Sequence, residues 1–138
     1  MTDFSHFHVL HVALMLCCCI GFVTSLLMHR KAAADKAGLL SEASVVQTSR
    51  ARLFGGVDNA AIGLVYYPAV LIGSFFLANP LMLIAVVIAA SLAALVSLYL
   101  AYSLLFITKM PCPLCMISHV INLAIVAILL TVILTTPS

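Results

Sequence analysis

The sequence predicts an all-α membrane protein, a bundle of four transmembrane helices with a lid segment between helices 1 and 2. Of the 138 residues, 65% are apolar and only 7% are charged, whereas soluble domains carry about 25% charged residues. Four apolar stretches each reach the length of about 20 residues that a spanning helix needs. We therefore expect a single four-helix transmembrane domain over residues 1–138, without a separate soluble domain.

The predicted spans follow these apolar stretches in order, and short turns join the last three. They cover residues 6–28, 60–78, 80–108 and 113–135. The pair Asn79-Pro80 predicts a tight reversal, so the second and third helices should be antiparallel neighbours. A short turn at Lys109 leads into the fourth span. Small residues recur in the third span and predict close helix packing: Ala85, Ala89, Ala90, Ala93, Ala94 and Ser97.

The predicted lid, residues 30–59, is the one long connection. It holds five of the six basic residues, interleaved with apolar pairs, a pattern typical of an amphipathic segment on the membrane surface or the mouth of the bundle. The capping-box pattern from Ser44 to Gln47 predicts a short helix that begins near Ser44.

Charge predicts orientation rather than a charged partner. With four spans, all six Lys and Arg residues lie on the side of the lid and of Lys109. The positive-inside rule places that side in the cytoplasm. The net charge of +2 provides no basic patch, so we expect the lipid bilayer, and no nucleic acid, as a partner.

The clearest chemical motif is Cys112-Pro113-Leu114-Cys115 at the start of the fourth span. The dipole and free N–H groups of a helix N-terminus lower a thiol pKa, and Pro113 suits a first helical turn. The motif therefore favours a pair that cycles between dithiol and disulfide. Two alternatives are half of a zinc site and two packing thiols. Structural zinc needs four ligands, and no second pair lies outside the spans, so we expect no metal.

Polar residues continue along the fourth span beyond the motif. Ser118, His119 and Asn122 share one helix face with Cys115. Polar groups within a bilayer mark a pathway or a site by default, so His119 is expected to line a pocket directly below Cys115. The alternative is that His119 and Asn122 only bond a neighbouring helix.

A second polar cluster opens the second span and contains Asn59, Gly63, Tyr66 and Tyr67. Glycine allows close backbone approach, and an asparagine beside aromatic rings could hold a flat carbonyl compound by a hydrogen bond and stacking. A helix cap followed by an interfacial tyrosine belt explains the same residues.

The remaining cysteines and the N-terminal histidines do not indicate a chemical site. Cys17, Cys18 and Cys19 are adjacent in the first span; they point about 100° apart on a helix, and we interpret them as packing residues. Three histidines precede these cysteines, namely His6, His8 and His11. The chain supplies no evident further ligands with which they could bind a metal.

Two segments resemble a known family. Residues 112–122, CPLCMISHVIN, resemble the redox helix of bacterial homologues of vitamin K epoxide reductase. Residues 53–55, 59–63 and 66–67 resemble that family's stretch from the lid into the second helix. The resemblance implies a multi-pass inner-membrane oxidoreductase that passes electrons from protein dithiols to a quinone of the ubiquinone or menaquinone type. It also implies a separate thioredoxin-like protein as the thiol partner.

The resemblance assigns residue roles. Cys112 would exchange disulfides and Cys115 would face the quinone; Asn59 would bond the quinone carbonyl and His119 would face its ring. Tyr67 and Asn122 complete the predicted cofactor-binding set on the grounds given above.

The chain departs from the family pattern in its lid. Family members usually carry two further cysteines there that relay electrons, whereas this lid has Ser41, Ala43 and Ser44 in that region and no cysteine. Either a partner reaches Cys112 directly, or the chain is a relay-less variant with altered or lost activity. The family also implies that the active side faces away from the cytoplasm. We expect this orientation here, although the positive-inside rule predicts the opposite one.

Two other functions fit a small helical membrane protein, namely a transporter and a metal-bound structural protein. A transporter predicts an ionisable residue deep in the bundle. No Asp, Glu, Lys or Arg lies within the core of any predicted span, which argues against it.

Overall fold

A computed structural model describes residues 2–39, 52–53, 57–109 and 112–135, and it confirms the predicted all-α, four-helix class. The elements are α1 (Thr2–Lys36), β1 (Arg52–Leu53), β2 (Val57–Asp58), α2 (Asn59–Ser74), α3 (Pro80–Tyr102), a π-helical segment (Ser103–Thr108) and α4 (Pro113–Thr135). The two-residue strands β1 and β2 pair antiparallel, with Arg52 opposite Asp58, just before α2 begins.

Three of the helical stretches are long and apolar enough to cross a membrane: Ser5–Lys36, Pro80–Thr108 and Pro113–Thr135. Large apolar side chains cover their outer faces, as at Leu16, Leu95 and Leu134, which are 58%, 64% and 85% exposed. Such surfaces require a lipid environment, because soluble proteins rarely expose contiguous apolar patches of this extent.

Helix α1 is longer than predicted and ends at Lys36 rather than near residue 28. Its end is a Schellman motif: Gly38 has a φ of 71°, and Leu39 N–H donates to the Ala34 carbonyl over 3.0 Å. Glycine adopts this left-handed conformation without a steric penalty. The first part of the expected lid is therefore helix, and the expected helix near Ser44 lies outside the described residues.

Helix α2 is shorter than predicted. It ends at Ser74 rather than near residue 78, and its 16 residues rise about 24 Å, less than the hydrocarbon core of about 30 Å. Phe75 and Phe76 N–H groups donate to carbonyls three residues earlier, so the chain tightens before it reverses. The run of apolar residues continues through this turn, which is why hydropathy did not locate the end.

The reversal into α3 forms as the Asn79-Pro80 pair predicted. The Asn79 side chain accepts a hydrogen bond from Leu81 N–H over 3.0 Å, and Pro80 occupies the first helical turn. Helix α1 packs against α2 and α4, and α3 packs against α4, whereas α2 and α3 have much less contact with each other. A gap is therefore left between α2 and α3.

Buried residues on α1 follow an alternating spacing of three and four, which places them on one helix face. These residues are Leu14, Cys18, Gly21, Ser25, Met28 and Ala32, and Thr24, buried beside Ser25, is the exception among the described residues of α1. Cys18 belongs to the core, Cys17 packs at its edge and Cys19 is exposed. On α3, Ala90, Ala94 and Ser97 are buried, while Ala89 and Ala93 border the gap beside α2.

Candidate active site

Cys112 caps the N-terminus of α4, and Cys115 lies in the first turn of that helix. The backbone N–H of Cys115 donates to the Cys112 sulfur over 3.4 Å, as the N–H groups at a helix start do to a capping side chain. Both cysteines are half-buried free thiols. The pair therefore has one sulfur at the end of the bundle and one a turn deeper.

The surroundings of Cys112 lower its thiol pKa to about 6. The largest cause is the hydrogen bond from the Cys115 thiol; backbone N–H groups and the positive charge of Lys31 add to it, and burial opposes it. A pKa near 6 leaves most of Cys112 as thiolate at neutral pH. The thiolate is the nucleophile in disulfide exchange, so the low pKa makes Cys112 the cysteine of the pair better suited to that chemistry.

Helix α1 completes the environment of the pair. The Cys115 sulfur lies 3.5 Å from the Met28 thioether, and Met28 is only 4% exposed. Lys31 is one turn further along α1, toward Cys112. Neither residue was predicted as part of the site, although the three-four spacing of buried residues along α1 places Met28 on the face that packs into the bundle.

A cavity of about 280 Å³ lies in the gap between α2 and α3 and reaches α1 and α4. Its polar lining consists of Ser25, Asn59, Tyr66, Tyr67, Ser97, Ser118 and Asn122. Its apolar lining includes Ile62 and Leu92, which are 38% and 59% exposed on the outer face. The cavity therefore adjoins the lipid-facing surface between α2 and α3.

Four of the polar groups in the cavity wall satisfy one another. The Tyr67 hydroxyl donates to the Asn122 side-chain oxygen over 2.9 Å, and because a phenol has one hydrogen, the Ser118 hydroxyl 2.9 Å away is its donor. The Asn122 amide nitrogen in turn donates to the Ser97 hydroxyl over 2.6 Å. This network connects α2, α3 and α4.

Two glycines let the helices approach Tyr67, which is 1% exposed. A Cβ at Gly21 of α1 would overlap the Tyr67 ring, and a Cβ at Gly63 of α2 would overlap the Ser25 hydroxyl. Glycine at these positions therefore brings α1 and α2 close enough to enclose the ring.

The structure brings three predicted site residues to one cavity and leaves others outside it. Asn59, Tyr67 and Asn122 line it, whereas His119 does not. His119 is 4% exposed, and within the described part of the chain neither ring nitrogen has a hydrogen-bond partner. His119 is thus not a lining residue of this cavity, because Ser118 and Asn122 are the α4 residues that face Tyr67; that His119 lines a pocket directly below Cys115 stays a prediction.

The cysteine pair is adjacent to this cavity without lining it. Ser118, a lining residue, follows Cys115 by three positions, which is a rise of about 4.5 Å. Ser25 and Met28 are related in the same way on α1. The dithiol thus lies about one helical turn from the cavity, at the end where α2 begins with Asn59.

Across the described ranges, no three His, Cys, Asp or Glu side chains form a group that could hold a metal ion. At the far end of the bundle, the His11 Nε2 atom is 3.0 Å from the Ser74 carbonyl, and the His11 ring packs against Phe75.

A helical membrane bundle with a Cys-x-x-Cys pair at a helix N-terminus is typical of membrane thiol–disulfide oxidoreductases. The family model described as the vitamin K epoxide reductase family matches residues 12–130. The chain therefore belongs to this family, which confirms the resemblance and implies thiol–disulfide oxidoreductase activity in a membrane. No curated protein matches the chain.

Proposed function

We propose that this protein transfers electrons from protein dithiols, through Cys112 and Cys115, to a quinone held in the cavity between α2 and α3, and so supports disulfide formation. The observation that carries the proposal is the position of the cavity, which begins about one turn from Cys115. Its volume of about 280 Å³ is close to the lower end of ligand pockets, about 300 Å³, which suits a ring-sized head group.

The lining fits a flat carbonyl compound. Asn59 offers an amide donor that no other described residue engages in a hydrogen bond, and the tyrosine rings provide flat apolar surface. The gap between α2 and α3 adjoins lipid at Ile62 and Leu92, so an apolar tail could remain in the bilayer. A bound quinone would accept two electrons and two protons.

The cysteines carry out the exchange with the donor. A donor thiolate attacks the Cys112 sulfur of the oxidised pair, forms a mixed disulfide and releases Cys115. The second donor thiolate then attacks the donor sulfur of the mixed disulfide and releases Cys112 as thiolate. The net result is a disulfide in the donor and two reduced thiols in this chain, whose two electrons and protons leave toward the cavity.

The partner, we propose, is a separate thioredoxin-like protein that reaches Cys112 directly. Residues 30–59 contain no cysteine that could relay electrons. Cys112 lies at the end of the bundle and is half-buried, and its low pKa makes it a good leaving group when the pair is re-formed. Purified protein should therefore reduce quinone with a dithiol donor and no added relay.

Asn59→Ala should raise the quinone KM about 3- to 10-fold and change kcat little, because one neutral hydrogen bond contributes about 0.5–1.5 kcal/mol. Steady-state quinone reduction at saturating dithiol measures this. Asn79→Ala is the matched control, since that asparagine caps α3 at the opposite end of the bundle. An unchanged KM in Asn59→Ala, or an equal rise in both variants, would contradict a role for Asn59 in binding.

We propose further that the Cys112 end faces the extracytoplasmic side of the inner membrane, where disulfides persist. The six basic residues that the sequence predicts on this side of the membrane favour the reverse orientation, so the two rules make opposite predictions. Because α4 runs from Pro113 to Thr135, a reporter fused after the C-terminus lies on the other side. A fluorescent-protein fusion should fluoresce and an alkaline-phosphatase fusion should be inactive; the opposite pair of results places the active end in the cytoplasm.

A further inference from the structure

We propose that Tyr66 donates the second hydrogen bond to the carbonyl ligand of the cavity, in addition to the one proposed for Asn59. The inference rests on the proposed function, since it concerns how the same cavity binds a quinone. It is carried by two observations within the described residues: Tyr66 is a lining residue of the cavity, and its buried hydroxyl has no hydrogen-bond partner. His119 is not a lining residue.

The Tyr66 hydroxyl is buried, and no described group of the protein accepts its hydrogen. A buried polar group without a partner costs about 1–3 kcal/mol, and native proteins retain few of them. The hydroxyl therefore lacks an acceptor, and its residue borders a cavity that can admit a ligand. A carbonyl oxygen would meet that requirement, because it accepts and does not donate.

The neighbouring tyrosine shows by contrast what a structural hydroxyl does here. Tyr67 donates to Asn122 and accepts from Ser118, so its single hydrogen is used within the protein. The two rings are in edge contact, with centroids 5.1 Å apart and an interplanar angle of 64°. Tyr67 thus has a structural role in the cavity wall. The Tyr66 hydroxyl is the one that remains able to donate a hydrogen bond to a ligand.

Asn59 and Tyr66 are placed to act on one ligand. Both line the cavity, and seven positions along a helix return to nearly the same face, with a rise of about 10.5 Å. Side chains on a helix lean toward its N-terminus, which carries the Tyr66 ring in the direction of Asn59. Two donors on one face of α2 match a ligand with two carbonyl oxygens on opposite sides of a ring.

The test compares Tyr66→Phe with Tyr67→Phe by two measurements. The first is thermal unfolding of the ligand-free protein in detergent; the second is the affinity for a short-chain quinone, measured by titration without any dithiol. Tyr66→Phe should leave the unfolding temperature unchanged or raised, because it removes an unpartnered hydroxyl, and should weaken quinone binding about 3- to 10-fold. Tyr67→Phe should lower the unfolding temperature.

The outcomes separate this inference from the proposed function. If Tyr66→Phe binds quinone as tightly as the parent protein while Asn59→Ala binds it more weakly, the cavity holds quinone and the role of Tyr66 is refuted. Loss of stability in Tyr66→Phe refutes it as well, since the hydroxyl then has a structural partner. If the parent protein binds no quinone at all, the proposed function itself fails.

Discussion

Cys115→Ala is expected to abolish quinone reduction while Cys112 remains able to react with a donor. Without Cys115 the pair cannot form its disulfide, so two electrons cannot be collected in one site. Turnover with a dithiol and a quinone should fall to the uncatalysed rate. When the donor is supplied as a disulfide, the Cys112 thiolate of the variant should attack it and release the other thiol. The resulting mixed disulfide should accumulate and be visible as a mass increase in the intact protein.

Alkylation provides a readout of the same variant that does not depend on turnover. Only the thiolate is alkylated, so the alkylation rate of Cys112 follows its fraction of thiolate. In the parent protein, with a Cys112 pKa of about 6, this rate should rise as the pH increases through 6 and then reach a plateau. The Cys115 thiol is the largest cause of this low pKa, so Cys115→Ala should move the rise to higher pH. Cys19→Ala is the control, because Cys19 is an exposed thiol of α1 outside the pair. Quinone turnover that survives Cys115→Ala would refute the assigned role.

Tyr67→Ala should have the largest effect on stability. The side chain is 1% exposed. The helices enclose its ring closely, because glycines leave room for it where a Cβ would overlap. Truncating a buried aromatic side chain costs about 3–5 kcal/mol, because the cavity left behind is not refilled. Unfolding in a mixed-detergent titration, followed by circular dichroism, measures the loss.

Tyr67→Phe separates the ring from the hydroxyl. It retains the buried ring and removes the hydrogen bonds to Ser118 and Asn122. Hydrogen bonds between membrane helices contribute about 0.6–2 kcal/mol each, and the ring packing is kept, so this variant should lose less stability than Tyr67→Ala. Equal losses in the two variants would mean that the hydroxyl network, not ring packing, dominates.

Local sequence was sufficient for features that depend on neighbouring residues alone. The Cys112 cap follows from a cysteine directly before a proline and an apolar run, and the reversal at Asn79 follows from its pairing with Pro80. Both are fixed by which backbone N–H groups a helix start leaves free. The end of α1 had such a signal too, in Gly38, but the charged residues before it suggested a separate surface segment.

The residues that line the cavity could be identified only from the tertiary structure. Ser118, His119 and Asn122 share a broad face of α4, and sequence spacing alone does not distinguish which of them faces α2. The rotation of α4 is decided by packing: Gly21 and Gly63 admit the Tyr67 ring, whose hydroxyl then engages Ser118 and Asn122. His119 is consequently buried away from the cavity lining.

By itself, the sequence determined the membrane class, the four helices, the place of the Cys-x-x-Cys pair at a helix start and the family, because composition, capping residues and a local motif each act over a few neighbouring positions. Only the tertiary structure decided which polar groups share a cavity and which are already paired. Tyr66 and Tyr67 are adjacent and chemically identical, yet one hydroxyl is bonded within the bundle and the other has no partner among the described residues. That difference arises from the contacts each side chain makes with other helices.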